Sequence, residues 1–386
     1  MVFKPRVKTG LRLLIEEGFQ RVAGKRIGVV TNHTGVTADF RHVADLLHKR
    51  FGLDVKAIFS PEHGFRGSVA DGASVGNSVD VKTGIPVYSL YGPRLEPPRK
   101  VLEKLDLIIY DIQDVGVRFY TYISTLFHVL KAAGKVGVRV LVLDRPNPVT
   151  GVHVEGPMLE PGFRSFVGIW TVPVRYGLTA GELANLFNEE AELGACVEVL
   201  KMDGWRRGMW FDETGLPWVP PSPNMPSLST ATVYPGTCLL EGTNVSEGRG
   251  TTKPFEVVGA PWVDEYRVIE ELESLPLRGF RLRPSAFTPR FGKYEGELCH
   301  GFQIYVTDRD EFKPVKFGMA VIWVIRRLFA ESFRFTKSDG KYYFDLLVGS
   351  DKPRELIMEN RGFEELAELC EDTGSFEKLR EKYLLY

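Results

Sequence analysis

The chain has 386 residues, with 49 Lys and Arg against 50 Asp and Glu and 44% hydrophobic residues. A net charge of -1 removes the electrostatic case for a nucleic-acid or anionic-membrane protein, since both partners require a basic surplus. At about 150 residues per domain, the length points to two domains, each able to bury a core. Cys196, Cys238, Cys299 and Cys370 lie far apart with no CxxC pair, which argues against a disulfide scaffold or a structural zinc site. Near the start, the apolar run Leu11, Leu13, Leu14 and Ile15 stops at Glu16 and Glu17. It is too short for a signal h-region or a membrane span, so a cytoplasmic protein is expected.

In chain order, the first half alternates short apolar runs with helical patterns. Arg26–Thr31 reads as a buried strand, Ala38–Phe51 as a helix and Asp54–Phe59 as the next strand. Leu105–Tyr110 follows as a strand, then a helix over about 124–133 and a strand at Val138–Leu143. Thr179–Glu190 predicts a helix with a capping box, Thr179 at the cap and Glu182 three residues on. Val197–Met202 closes the series. Strands separated by helices imply right-handed βαβ units and a largely parallel sheet. Over 203–235 the character changes, and Trp205, Trp210, Trp218 and the Pro-rich run Pro220–Pro226 read as a linker that also lines something. Beyond it, strands near 300–306 and 341–347 and helices near 315–330, 354–360 and 363–383 make a smaller mixed domain. The expected class is α/β, divided at 1–225 and 226–386.

Four of the predicted parallel strands run straight into polar loops marked by Gly or Pro. Open α/β sheets bind ligands outside the carboxyl ends of their strands. The topology therefore gathers Asn32, His33, Glu62, His63, Asp111, Asp114, Arg118, Asp144 and Arg145 along one edge. Asp144 has a plainer reading as the stop of a strand, and Tyr120 and Tyr122 as core aromatics. Glu62 beside His63, in a loop flanked by Gly64, is better explained by function. No dinucleotide fingerprint, Walker A run or nucleophile elbow is present, so nicotinamide, nucleotide and serine-hydrolase readings lose their usual support. No metal-ligand spacing accompanies Glu62 and His63, and neither cofactor nor metal is expected. The second half adds one dense polar stretch, Leu240–Glu256, which brings Glu247 and Arg249 on a glycine-rich loop. Carboxylates delivered from two domains into one cleft match what glycoside hydrolysis requires.

The runs Ser60–Gly67, Asp114–Tyr122, Leu143–Pro148, Pro221–Pro226 and Glu241–Thr252 together resemble one family, the NamZ-type exo-β-N-acetylmuramidases. The resemblance extends from about Gly10 to the last helix. It implies a Rossmann-like N-terminal domain, a smaller C-terminal domain and an active site between them. It also implies release of N-acetylmuramic acid from the non-reducing end of peptidoglycan fragments. On that basis Glu62 is expected as general acid with His63 beside it. Glu247 is the expected second carboxylate, with Glu241 and Asp114 in reserve. Arg118, Arg145 and Arg249 are candidates for the lactyl carboxylate, since a guanidinium fork matches a carboxylate. Asn32, His33, Arg66, Asp111, Tyr120, Asp144, Asn224, Asn244 and Thr251 complete the expected binding set. Phe65 and Tyr88 are the sequence-near choices for an apolar wall beside Glu62. The partner is an amino sugar or muropeptide, with no nucleic acid and no membrane. Retention, inversion and participation of the sugar's own acetamido group all stay open. The rival from another class is a non-catalytic amino-sugar or muropeptide-binding protein with the same two-domain cleft.

Overall fold

A computed structural model describes residues 5–50, 52–67 and 76–386. Seven strands form the first sheet: β1 Ile27–Thr31, β2 Val55–Ser60, β3 Ser78–Val79, β4 Pro86–Ser89, β5 Leu107–Asp111, β6 Arg139–Leu143 and β7 Val197–Leu200. Their order is β3-β4-β2-β1-β5-β6-β7, parallel throughout except for β3, which runs antiparallel to β4. Every residue of β1 and β5 is buried, as continuous apolar strands covered on both faces should be.

Alternation divides those strands between two cores. Val29, Ile58, Ile109 and Leu141 face Leu11 and Leu14 of helix Gly10–Glu16. Val30, Phe59, Tyr110 and Val142 face Leu126, Val129 and Leu130 of helix Tyr122–Val136. That helix stops where Gly137 turns left-handed at φ 81° and donates to the Ala133 carbonyl. Helix Ala180–Glu190 has the reciprocal cap expected of Thr179 and Glu182.

The second sheet is antiparallel, with β8 Val257–Ala260, β9 Phe280–Phe287 and β10 Cys299–Val306 in the order β8-β10-β9. Beside it, helices Leu228–Thr237 and Pro314–Leu328 pack against each other at very close range. A Cβ on Gly236 would lie 1.8 Å from the Pro314 carbonyl oxygen, and one on Gly318 would lie 2.3 Å from that of Gly236. One apolar core runs from the first sheet through this second layer without interruption. The chain end then crosses back: Tyr386 donates to Asp144 at 2.8 Å, and Lys201 to the Leu385 carbonyl at 2.7 Å. No helix among the described residues is long and apolar enough to cross a membrane.

Several segments differ from the sequence reading: it lacked β8, β9 and helix Glu265–Ser274, and the helix expected over 363–383 is two, Phe363–Glu371 and Gly374–Arg380. Strands β3 and β4 were not expected, being short, and β4 opens on Pro86. The helix expected over 38–51 is only Val43–Asp45 running into a wider turn at Leu46–Arg50; Phe40, left-handed at φ 61°, and the Thr37 hydroxyl bonds occupy its expected start. The supposed linker contains helix Leu228–Thr237, which is buried on almost all sides and carries Pro235, so no amphipathic period announces it. The strand expected at 341–347 survives as Lys341–Tyr342 and becomes helix Tyr343–Val348, closed by Gly349 at φ 82°.

Candidate active site

The carboxyl ends of the parallel strands do fall on one edge, with Asn32 after β1, Glu62 after β2, Asp111 ending β5 and Asp144 after β6. The sheet order reverses between β1 and β5, where an open α/β sheet ordinarily holds its ligand. Here that crevice is filled. Arg145 donates to both oxygens of the fully buried Asp111, Nε to Oδ1 at 2.6 Å and Nη2 to Oδ2 at 3.0 Å. Phe211, Leu216 and Pro217 close over the pair, leaving about 20 Å³. The open cleft, about 140 Å³, lies to one side, over the ends of β2 and β4.

Glu62 and His63 line that cleft. His63 is buried and left-handed at φ 69°, a strained conformation for a residue with a side chain and one that clusters at functional sites. Thr121, at the start of helix Tyr122–Val136, donates its hydroxyl to Glu62 Oε2 at 2.8 Å. Tyr120 joins the wall edge-on to Tyr122 and Tyr234, with ring centroids 4.9 and 5.8 Å away. Tyr91, just past β4, and Phe166 pair at 5.8 Å across the mouth. The apolar wall is therefore not the expected one. Phe65 is buried against His42 at 5.0 Å and Tyr88 packs on Phe59 at 5.9 Å, both outside the cleft lining.

The second layer contributes Glu241, Arg249, Cys238, Tyr234 and Tyr343. Arg249 donates to Glu241 Oε1 through Nε at 3.0 Å and Nη2 at 2.7 Å. Burial drives the Glu241 carboxyl above the ordinary carboxylate range; Arg249 opposes that rise and the negative charge of Glu247 adds to it. Glu247 itself sits behind the wall, 4% exposed, with Lys293 Nζ 2.9 Å from Oε2 and Arg249 Nε 3.7 Å from Oε1. Lys293 also donates to the carbonyls of Leu240 and Val245 at 2.8 and 2.9 Å, so it locks the turn that presents Glu241. Of the expected candidates for the carboxylate opposite Glu62, Glu241 lines the cleft and Glu247 lies outside its lining.

Several other expected site residues hold the scaffold instead. Arg118 is fully buried and donates to the carbonyls of Pro157, Val172, Leu347 and Val348 at 2.6 to 2.9 Å; burial pulls its pKa down to about 9. Asp144 is fully buried and accepts from Thr179, the Gly181 amide and Tyr386. Asp114 accepts from the Gly116 amide at 2.7 Å and from the Tyr176 hydroxyl. Asn32 folds back onto the Thr34 amide and hydroxyl at 3.0 and 2.6 Å. His33 Nε2 donates to the Pro220 carbonyl at 2.7 Å, and the Asn224 backbone N–H donates to the Ser222 hydroxyl at 3.2 Å. Arg66 pairs with Asp45 and Asp80. Asn244 straps Ser332 and Arg334, and the Thr251 hydroxyl turns onto the Gly248 carbonyl. Thr121, Tyr91, Phe166, Lys293 and Tyr343 were missed. Only Thr121 carried a signal, as part of a quoted motif.

Carboxylates presented by two layers into one aromatic-walled cleft are the arrangement that glycoside hydrolysis requires. The chain belongs to the exo-β-N-acetylmuramidase NamZ family, whose N-terminal model matches residues 27–229 and whose C-terminal model matches residues 232–386. It is 47% identical over 384 residues to the peptidoglycan β-N-acetylmuramidase NamZ of Bacillus subtilis (strain 168), covering 99% of this chain and 92% of that protein. A DUF1343 family protein of Bacteroides fragilis NCTC 9343 has the same fold, with a TM-score of 0.92, 35% identity and coverage of 99% and 100% of the two chains. A second such protein from that organism gives a TM-score of 0.78 at 32% identity, over 98% and 99%.

Proposed function

We propose that this cleft releases N-acetylmuramic acid from the non-reducing end of peptidoglycan fragments, with Glu62 as general acid and Glu241 as the second carboxylate. The observation that carries the reading is the shared cleft: Glu62 rises from the first sheet and Glu241 from the second layer onto the same walls. The Thr121 hydroxyl donates to Glu62, and Arg249 donates to Glu241 through two nitrogens. Arg249 is also the one of the three nominated arginines that lines the cleft, and it supplies the positive charge that a lactyl carboxylate needs in a site already holding two acidic groups. Aromatic faces at Tyr91, Phe166 and Tyr120 suit pyranose rings.

The test uses two disaccharides of opposite order. Incubation with N-acetylmuramyl-N-acetylglucosamine releases free N-acetylmuramic acid, while the disaccharide with N-acetylglucosamine at the non-reducing end stays intact. Cleavage of both, or tight binding of the first without turnover, contradicts the reading.

A further inference from the structure

We propose that Tyr343 is a catalytic residue of this cleft, its hydroxyl donating a hydrogen bond to the acetamido carbonyl oxygen of the bound muramyl unit; the proposal rests on the glycosidase reading above. Tyr343 opens the short helix Tyr343–Val348, and both ends of that helix are fixed. At its start, Gly242 approaches so closely that a Cβ there would lie 2.4 Å from the Phe344 amide nitrogen and Cα. This brings Tyr343 against the turn that carries Glu241. At its end, the buried Arg118 guanidinium grips the carbonyls of Leu347 and Val348 at 2.9 and 2.6 Å. The helix is thereby tied to the first layer, and the phenol is delivered to a wall shared with Glu62, Cys238, Glu241 and Arg249.

Matching donors to acceptors makes this hydroxyl a neutral donor of the cleft, alongside those of Tyr91, Tyr120 and Ser222. An acetamido group offers one N–H and one carbonyl oxygen. The cleft carboxylates can receive the N–H, and Arg249 suits the lactyl carboxylate, so the carbonyl oxygen needs a neutral donor. The Thr121 hydroxyl is committed to Glu62 and the Tyr122 hydroxyl to the Pro221 carbonyl. Tyr234 lies deeper, against Cys238. Among the described residues the Tyr343 hydroxyl makes no hydrogen bond to protein, while its ring is partly buried against the core. Burial, with Glu241 and Glu62 nearby, holds its pKa well above the ordinary tyrosine value, so it remains a protonated donor across the working range. A donor fixed at both ends of its helix sets the rotation of the acetamido group relative to the anomeric carbon.

The experiment compares wild type and Tyr343→Phe, which keeps the ring and removes only the hydroxyl. The substrates are aryl glycosides of N-acetylmuramic acid and of its N-trifluoroacetyl analogue, whose carbonyl is a poorer acceptor; thermal melting monitors the fold. Tyr343→Phe is expected to lower kcat/KM on the N-acetyl substrate by about 10²- to 10³-fold and to abolish the wild-type preference for acetyl over trifluoroacetyl. Unchanged kinetics, or equal losses on both substrates, overturn the assignment and leave Tyr343 a packing residue. Wild type alone gives an independent check: equal cleavage of muramic glycosides with and without the N-acetyl group also overturns it. A wild type that cleaves no muramic glycoside removes the glycosidase reading itself, whereas cleavage undiminished in Tyr343→Phe removes only the role of Tyr343.

Discussion

Three arginines were equivalent in the sequence, and their surroundings give them three unrelated jobs. Arg118 satisfies four buried carbonyls, Arg145 neutralises Asp111, and Arg249 reaches the cleft. Arg249→Met should therefore lower kcat/KM on an aryl N-acetylmuraminide by about 10- to 100-fold, the size of a charge-assisted hydrogen bond. The loss on the same muraminide with its lactyl carboxylate methyl-esterified should be smaller. Equal losses on the two glycosides would show that Arg249 serves only to hold Glu241. Glu62 was legible because a carboxylate beside a histidine in a glycine-flanked loop at a strand's carboxyl end has few structural uses. The choice between Glu241 and Glu247 was not. Both lie in one turn, and which of them faces outward depends on Lys293, 46 residues beyond Glu247.

At the scale of elements, period and capping carried the first sheet well. Continuous apolar runs located β1, β2, β5, β6 and β7, and the capping box fixed helix Ala180–Glu190. Helix Tyr343–Val348 was misread because Tyr342, Tyr343 and Phe344 are an aromatic run with strand propensity. Packing against Gly242 and the clamp from Arg118 decide the matter, and both are tertiary. Gly242→Ala tests that contact directly. A methyl group placed 2.4 Å from the Phe344 backbone must push the helix off the Glu241 turn, with an overpacking penalty of about 1–3 kcal/mol. The expected outcome is a lower melting temperature together with a loss of turnover at unchanged secondary structure, read by calorimetry, circular dichroism and kinetics. Full activity in Gly242→Ala would mean that the cleft tolerates movement of this helix.

For the whole molecule, the seam between the layers is both apolar and acidic, and it gives the fold a pH response. Glu155 comes from the first layer, and its Oε1 accepts the Lys316 amide at 2.8 Å in the opening turn of helix Pro314–Leu328. Burial pushes its pKa up to about 7, with Arg175 opposing; Asp114 and Asp144 are likewise pushed by burial up to about 6. A carboxyl raised in the folded state holds its proton there while the unfolded chain has already lost it. Stability from these groups is thus complete below the ordinary carboxylate range and declines as pH rises through about 6 to 7. Glu155→Gln should flatten that decline, so that its melting temperature falls less than wild type between pH 5 and pH 8, roughly the window the linkage defines; parallel curves would exclude Glu155. The central claim is that the two layers present one catalytic pair, Glu62 and Glu241. It is tested most directly by a double-mutant cycle, Glu62→Gln and Glu241→Gln singly and together, on N-acetylmuramyl-N-acetylglucosamine, whose poor leaving group makes acid assistance matter. Glu62→Gln should lower turnover by about 10²- to 10⁴-fold with the fold intact, and the double variant should lose less than the product of the single losses. Wild-type turnover in either single variant, or strictly multiplicative losses, would contradict a shared catalytic unit.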